Sequence, residues 1–303
     1  MGGSRATIAR ALAIVLCGAL SLCAASKVGA AAARWTPIAD QGSFVEPSPR
    51  LDPVVARSLA GLEGSLGNEN VALRLAAPDG RKVAVYHRLP SSRFAVALIM
   101  SNRTMPIKPV NTDLDVGGIA WRLDSAALTL VTWQPGSPGS TVWQYDVDAG
   151  QFSRHVRFDR QIAYAPVWNK LGDTLAMLAS DEAHTGDRHH GNLVLIGQGG
   201  VVTQLTKEFA AVSPSWAPSG RQIAVGNESP IGRPNSRSGV TVYSIEGSKV
   251  RHESPPRPPQ ADDDLQIDRV IWQADETILV RFSVFRGSDT PPGAVQWYRL
   301  VLQ

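Results

Sequence analysis

Cysteine is nearly missing from these 303 residues: there are two, Cys17 and Cys23, and both lie in the first 33 positions. From Arg34 onward no disulfide and no thiolate metal site can form. Net charge is missing as well. The first 33 residues hold Arg5, Arg10 and Lys27 and no acid, so 30 − 3 = 27 bases face 27 acids in the remainder. A neutral chain of this kind offers no electrostatic case for nucleic acid or for an anionic membrane. Catalytic signatures are also absent. There is no Gly-x-Ser-x-Gly elbow, no P-loop, no His-Glu-x-x-His and no full dinucleotide fingerprint. Carboxylates are plentiful, but no pair can be assigned as acid and base. The expected sets of catalytic residues, metal ligands and cofactors are therefore empty.

The start of the chain has its own logic. Arg5 and Arg10 precede an apolar run from Ala11 through Leu20, and Gly29 to Ala33 offers Ala-x-Ala frames. This is the pattern of a secretory signal peptide over residues 1–33, with an apolar stretch too short for a spanning helix. Leu16 and Leu22 stand before the two cysteines, where a lipobox would carry a small residue. Residues 34–303 are then expected to be one exported domain, periplasmic or secreted, with no membrane insertion after cleavage. Lacking disulfides, it must rest on a large core.

What the chain does have is a beat of tryptophans. Trp121, Trp168, Trp216 and Trp272 follow one another at 47, 48 and 56 residues. Each stands before a turn and a second apolar run. Pro214-Ser215-Trp216-Ala217-Pro218-Ser219-Gly220 leads into Gln222-Ile223-Ala224-Val225, and Pro166-Val167-Trp168 leads through Gly172 into Leu175-Ala176-Met177. An earlier copy has no Trp and runs Ala77-Pro78-Asp79-Gly80, then Val83-Ala84-Val85. The Trp ends a short buried strand. Proline and glycine make the tight turn. The next run is apolar enough to be buried on both faces. A third strand follows, as in Gly239 to Ser244, and then a more polar one suited to an outer edge.

Four antiparallel strands at this period make a propeller blade. The wording resembles the repeat of TolB-like, WD40-like (PD40-type) propellers, and Pro214 to Val225 is the nearest match. The resemblance covers residues 70–303. It implies an all-β propeller of about six four-stranded antiparallel blades, with five, the number of copies visible, as the alternative. The last copy stops at Gln303 after three strands, so residues 34–48, beginning Arg34-Trp35-Thr36-Pro37-Ile38, are expected to supply the closing strand. Asp52-Pro53 followed by Val54, Val55, Leu59 and Leu62 reads as a short helix near 52–64.

Connections after strands one and three are short and uniform. Those after strands two and four are long and irregular: 134–140, 181–191, 228–239, 253–268 and 286–293. Function on a rigid scaffold gathers on variable loops. The candidate binding residues are His184, Asp187, His189 and His190 in one loop, Arg233 and Arg237 in another, and Arg286 at the root of a third. The imidazole spacing matches no defined ligand pattern, so a polar exposed loop is expected there and not a metal site. Asp262-Asp263-Asp264, after Pro255-Pro256-Arg257-Pro258-Pro259, reads as a solvated acidic tip. These features point to a non-catalytic propeller that binds a protein, peptide or glycan through its long-loop face, in an envelope-associated scaffold role. The TolB resemblance implies partners in envelope assemblies, although no separate N-terminal α/β domain is evident. The alternative is an enzyme with a site at the channel mouth, a polysaccharide lyase or glycosidase, with or without a metal on the loop histidines.

Overall fold

The computed structural model describes residues 34–38, 49–89, 94–101, 103–109, 115–134, 136, 138–181, 190–207, 211–227, 239–254, 256, 263–286 and 294–302. Strand β1 (Arg34–Pro37) and helix α1 (Pro53–Leu66) come first. Blade I is β2 (Val71–Ala76), β3 (Lys82–Arg88), β4 (Phe94–Met100) and β5 (Arg103–Ile107). Blade II is β6 (Asp115–Trp121), β7 (Ala127–Trp133), β8 (Ser140–Asp146) and β9 (Gln151–Phe158). Blade III is β10 (Gln161–Trp168), β11 (Leu175–Asp181), β12 (Asn192–Ile196) and β13 (Val202–Gln204). Blade IV is β14 (Ala211–Trp216), β15 (Gln222–Asn227), β16 (Gly239–Ser244) and β17 (Lys249–Glu253). Blade V is β18 (Asp263–Ala274), β19 (Thr277–Arg286) and β20 (Ala294–Val301), with β1 as its fourth strand.

The described residues thus form five four-stranded antiparallel sheets. Arg34 pairs with Val301 and Pro37 with Tyr298, so the expected closing strand is in place. Trp35 anchors it, 5.9 Å from the Phe282 ring and 6.2 Å from the Tyr298 ring. The count is five because the Trp-less copy is itself a complete blade, and the described residues before it go to β1 and α1.

The second strand of each repeat is buried on both faces, most completely in β7 and β11, while β5, β9, β13 and β17 are largely exposed. Their charged and hydroxylated side chains suit an outer edge. The innermost strand of every blade carries a bulge: after Val71, Val116, Tyr164, Val212 and Ile267. In blades III and IV it contains a non-glycine residue at positive φ, Ala165 and Ser213, each followed by proline. A bulge bends the strand and increases its twist.

Blade V departs from the sequence expectation. Its first strand begins at Asp263, so Asp263 and Asp264 belong to a strand that pairs with Arg286 and Phe285. The connection from blade IV is correspondingly shorter than the stretch 253–268.

The core is a series of apolar layers between sheets. Ala84, Val96 and Leu98 of blade I meet Ile119, Leu128 and Leu130 of blade II. Val131 and Val142 meet Leu175 and Met177 of blade III. Leu178 and Leu193 meet Ile223 and Val225 of blade IV. Ala224 and Val242 meet Ile267, Val280 and Phe282 of blade V. The remaining layer lies between blade I and α1, where Val83, Val85, Ala97 and Ile99 pack with Val55, Leu59, Leu62 and Leu66. The helix starts because the Asp52 carboxylate accepts hydrogen bonds from Val54 N (2.8 Å) and Val55 N (3.4 Å) behind Pro53. It ends at Gly67, whose φ of 79° suits glycine.

The tryptophans tie successive blades together. Trp121 Nε1 donates to Leu75 O at 2.9 Å, Trp168 Nε1 to Thr129 Oγ1 at 2.8 Å and Trp216 Nε1 to Val167 O at 3.0 Å. Each bond reaches back into the preceding blade. Trp272 bonds its own turn instead, at Asp275 O (3.3 Å). Its blade is joined to blade IV by Val270 N on Ser213 Oγ and Trp272 N on Ser215 Oγ, both at 2.9 Å.

Candidate functional site

The register of the sheets puts the strand ends that bound the long connections on one face. Asp181 pairs with Gln161, Asn227 with both Ala211 and Gly239, and Arg286 with Asp263. These residues are strand ends, and the long loops leave and return beside them. The short turns, Gly80, Gly172 and Gly220 among them, close the opposite edge with φ near 70°. In blade II the same place holds Ser125 at φ 58°. Its Oγ accepts Asp79 N at 3.0 Å, a bond that glycine could not make.

The roots of the two loops singled out in the sequence lie side by side across blades III and IV. Ser180 Oγ donates to His190 O at 2.7 Å, and Tyr164 OH donates to the same oxygen. The next residue, Gly191, exchanges two backbone hydrogen bonds of 3.0 Å with Ala211. This bridge joins the sheets. A Cβ on Gly191 would lie 2.8 Å from the Tyr164 hydroxyl and 3.0 Å from Ala179 N, so the approach requires glycine. Ala211 pairs in turn with Asn227. Asn227 Nδ2 donates to Thr241 Oγ1, which lies 2.9 Å from His252 Nδ1. The Thr241 hydroxyl thus links the Asn227 amide to the His252 ring across three strands of blade IV. Burial, then Lys249, pushes the imidazole below its ordinary value, with Glu253 opposing.

A similar root lies between blades II and III. Ser140 Oγ accepts from Ala163 N and donates to Gln161 O, each at 2.9 Å. In blade III, Thr206 Oγ1 accepts from Leu193 N at 2.8 Å. These hydroxyls satisfy backbone groups that the strand ladders leave over where loops depart.

Of the residues expected to bind, His190 is described: it is half-buried, and its carbonyl is held by two hydroxyls. Arg286 is the last residue of β19, and its side chain lies outside the described residues. His184, Asp187, His189, Arg233 and Arg237 also lie outside them. Among the described residues, no group of three or more His, Cys, Asp or Glu is placed to hold a metal ion. Sequence reasoning passed over Tyr164, Ser180, Asn227, Thr241 and His252. The available signal was weak: a polar residue at or near the end of an apolar strand.

No family model and no curated protein matches the chain. Solved structures do match in fold. The β-propeller domain of the Trilobed protease from Pyrococcus furiosus superposes with a TM-score of 0.52 at 12% identity, over 76% of this chain and 68% of that one. This chain is a β-propeller. Hydrazine synthase from Kuenenia stuttgartiensis gives 0.50 at 14% identity, over 73% and 72% of the two chains. TolB from Acinetobacter baumannii gives 0.45 at 15% identity, over 77% of this chain. The propeller spans 55% of the length of that TolB and 63% of a putative TolB from Agrobacterium tumefaciens. At such identities the likeness is one of fold, and a fold of this kind hosts many functions. No helix among the described residues is long and apolar enough to cross a membrane.

Proposed function

We propose that the chain is an exported, non-catalytic propeller that captures a protein, peptide or glycan on its long-loop face, as an envelope-associated scaffold in the periplasm or as a secreted binder. The observation that supports this is the bridge from Ser180 through His190, Gly191, Ala211 and Asn227 to His252. It fixes the ends of two polar loops against each other, so two variable segments are presented from one rigid base. His184, Asp187, His189, Arg233 and Arg237 are the side chains that would contact the partner, with Arg286 at the neighbouring root.

The test compares two immobilised proteins against an envelope extract: the full chain, and a variant with His184, His189, Arg233 and Arg237 all changed to alanine. A protein or glycan enriched by the first and lost from the second is the expected result. Equal recovery by both, or recovery by neither, would sink the reading.

A further inference from the structure

Blade I differs from its successors in what covers its leading face. In blades II to V that face packs on the preceding blade. In blade I a single helix takes the place of a whole sheet. The substitute is weakly held. Of α1 only Val55 is fully withdrawn from solvent, while Leu59, Leu62 and Leu66 are partly buried. Gly61 and Gly64 sit inside the helix, and a Cβ at either would meet nothing within 4 Å. No close approach calls for glycine there, and each lowers the helix's intrinsic stability. The last turn carries no base to offset the helix dipole. At 14 residues the helix is near the limit of what persists without tertiary support. Its ion pair, Glu63 with Arg74, is partly exposed and adds little.

The side of β3 that the helix packs on is not wholly apolar. His87 lies on the same side of β3 as Val83 and Val85, is 8% exposed, and its Nδ1 has no hydrogen-bond partner among the described residues. Burying a nitrogen without a partner costs free energy on the side of the sheet that the helix faces. The other part of the N-terminal strap is different. Strand β1 is paired along its length and anchored by Trp35 among Phe282 and Tyr298.

We propose that α1 is a releasable cap: it lifts and recloses as a unit, baring Val83, Val85, Ala97 and Ile99, while β1 stays latched to β20. Segments of this kind open at lower free energy than the body that carries them.

Hydrogen–deuterium exchange of the full chain, read by peptide mass spectrometry, tests it. Amides of 53–66 should exchange at least about tenfold faster than those of β3 and β4, and those of β1 should remain slow. Gly61→Ala and Gly64→Ala should each slow α1 about fivefold, and roughly twentyfold together, without changing β3. Leu59→Ala should speed α1 alone. Exchange of α1 and β3 at one common rate would overturn the proposal. So would a double glycine variant that slows both alike or slows neither.

Discussion

The short-turn face and the long-loop face of this propeller join their blades by different means. On the first, the joints centre on a recurring tryptophan. Three of the four tryptophans reach back to the blade before them, and Asn169 Nδ2 reaches forward to Gly220 O at 3.2 Å. On the second, the joints are polar and individual: a hydroxyl at Ser140 and a backbone bridge at Gly191, the latter backed within blade IV by an Asn–Thr–His chain from Asn227. A joint that must recur at every blade is met by the repeat. A joint that must hold a loop found nowhere else in the chain is met case by case.

The contrast predicts where substitution hurts. Trp216→Ala removes a buried ring and an inter-blade hydrogen bond, and should cost about 3–5 kcal/mol in urea unfolding. A loss under about 1 kcal/mol would mean that the short-turn joints do not carry the stability assigned to them. Next come two glycines, one from each face. Gly80 has φ 70°, and a Cβ there would lie 2.2 Å from Arg50 O, so Gly80→Ala should cost about 1–3 kcal/mol. Gly136, on the long-loop side, has φ 76° with open space around it, and Gly136→Ala should cost about 1 kcal/mol. Equal costs would erase the distinction.

Acid gives a smaller effect. Burial pushes both His155 and His252 below the ordinary value of 6.5. Below that pH the unfolded chain takes up protons that the folded chain refuses, so stability should fall as the pH drops through and below about 6.5. Urea midpoints at pH 7.5, 6.5 and 5.5 would show it. His155→Phe should flatten the slope, and an unchanged slope would remove His155 from the account. Least of all, His184→Ala and Arg233→Ala should alter stability by no more than about 0.5 kcal/mol, measured by the same unfolding.

The same contrast explains what could be read from the amino acids alone. Trp121, Trp168 and Trp216 announce the blades because the same packing problem recurs at a fixed interval, and one residue type solves it each time. The closing role of Arg34 to Pro37 was legible from a missing fourth strand. The start of β18 at Asp263 was not, because acidic residues after a proline-rich stretch carry no strand signal, and their place comes from pairing with β19. The chain from Asn227 to His252 was hidden for a related reason. Its members are 25 positions apart and meet only through sheet register (227 to 252). No spacing rule links them.

The pairing of β1 with β20 also bears on the order of folding. Arg34 and Val301 are 301 − 34 = 267 positions apart, so among the earliest described residues to be synthesised is one that waits for almost the last. Contacts at such separation are slow to form. Blades I to IV can assemble as they are made, each Trp finding a predecessor already in place. Blade V is finished only when the C-terminal strand arrives. Without β20 the chain carries four complete blades and β19 as a bare strand edge, which is the exposed feature that leads to aggregation.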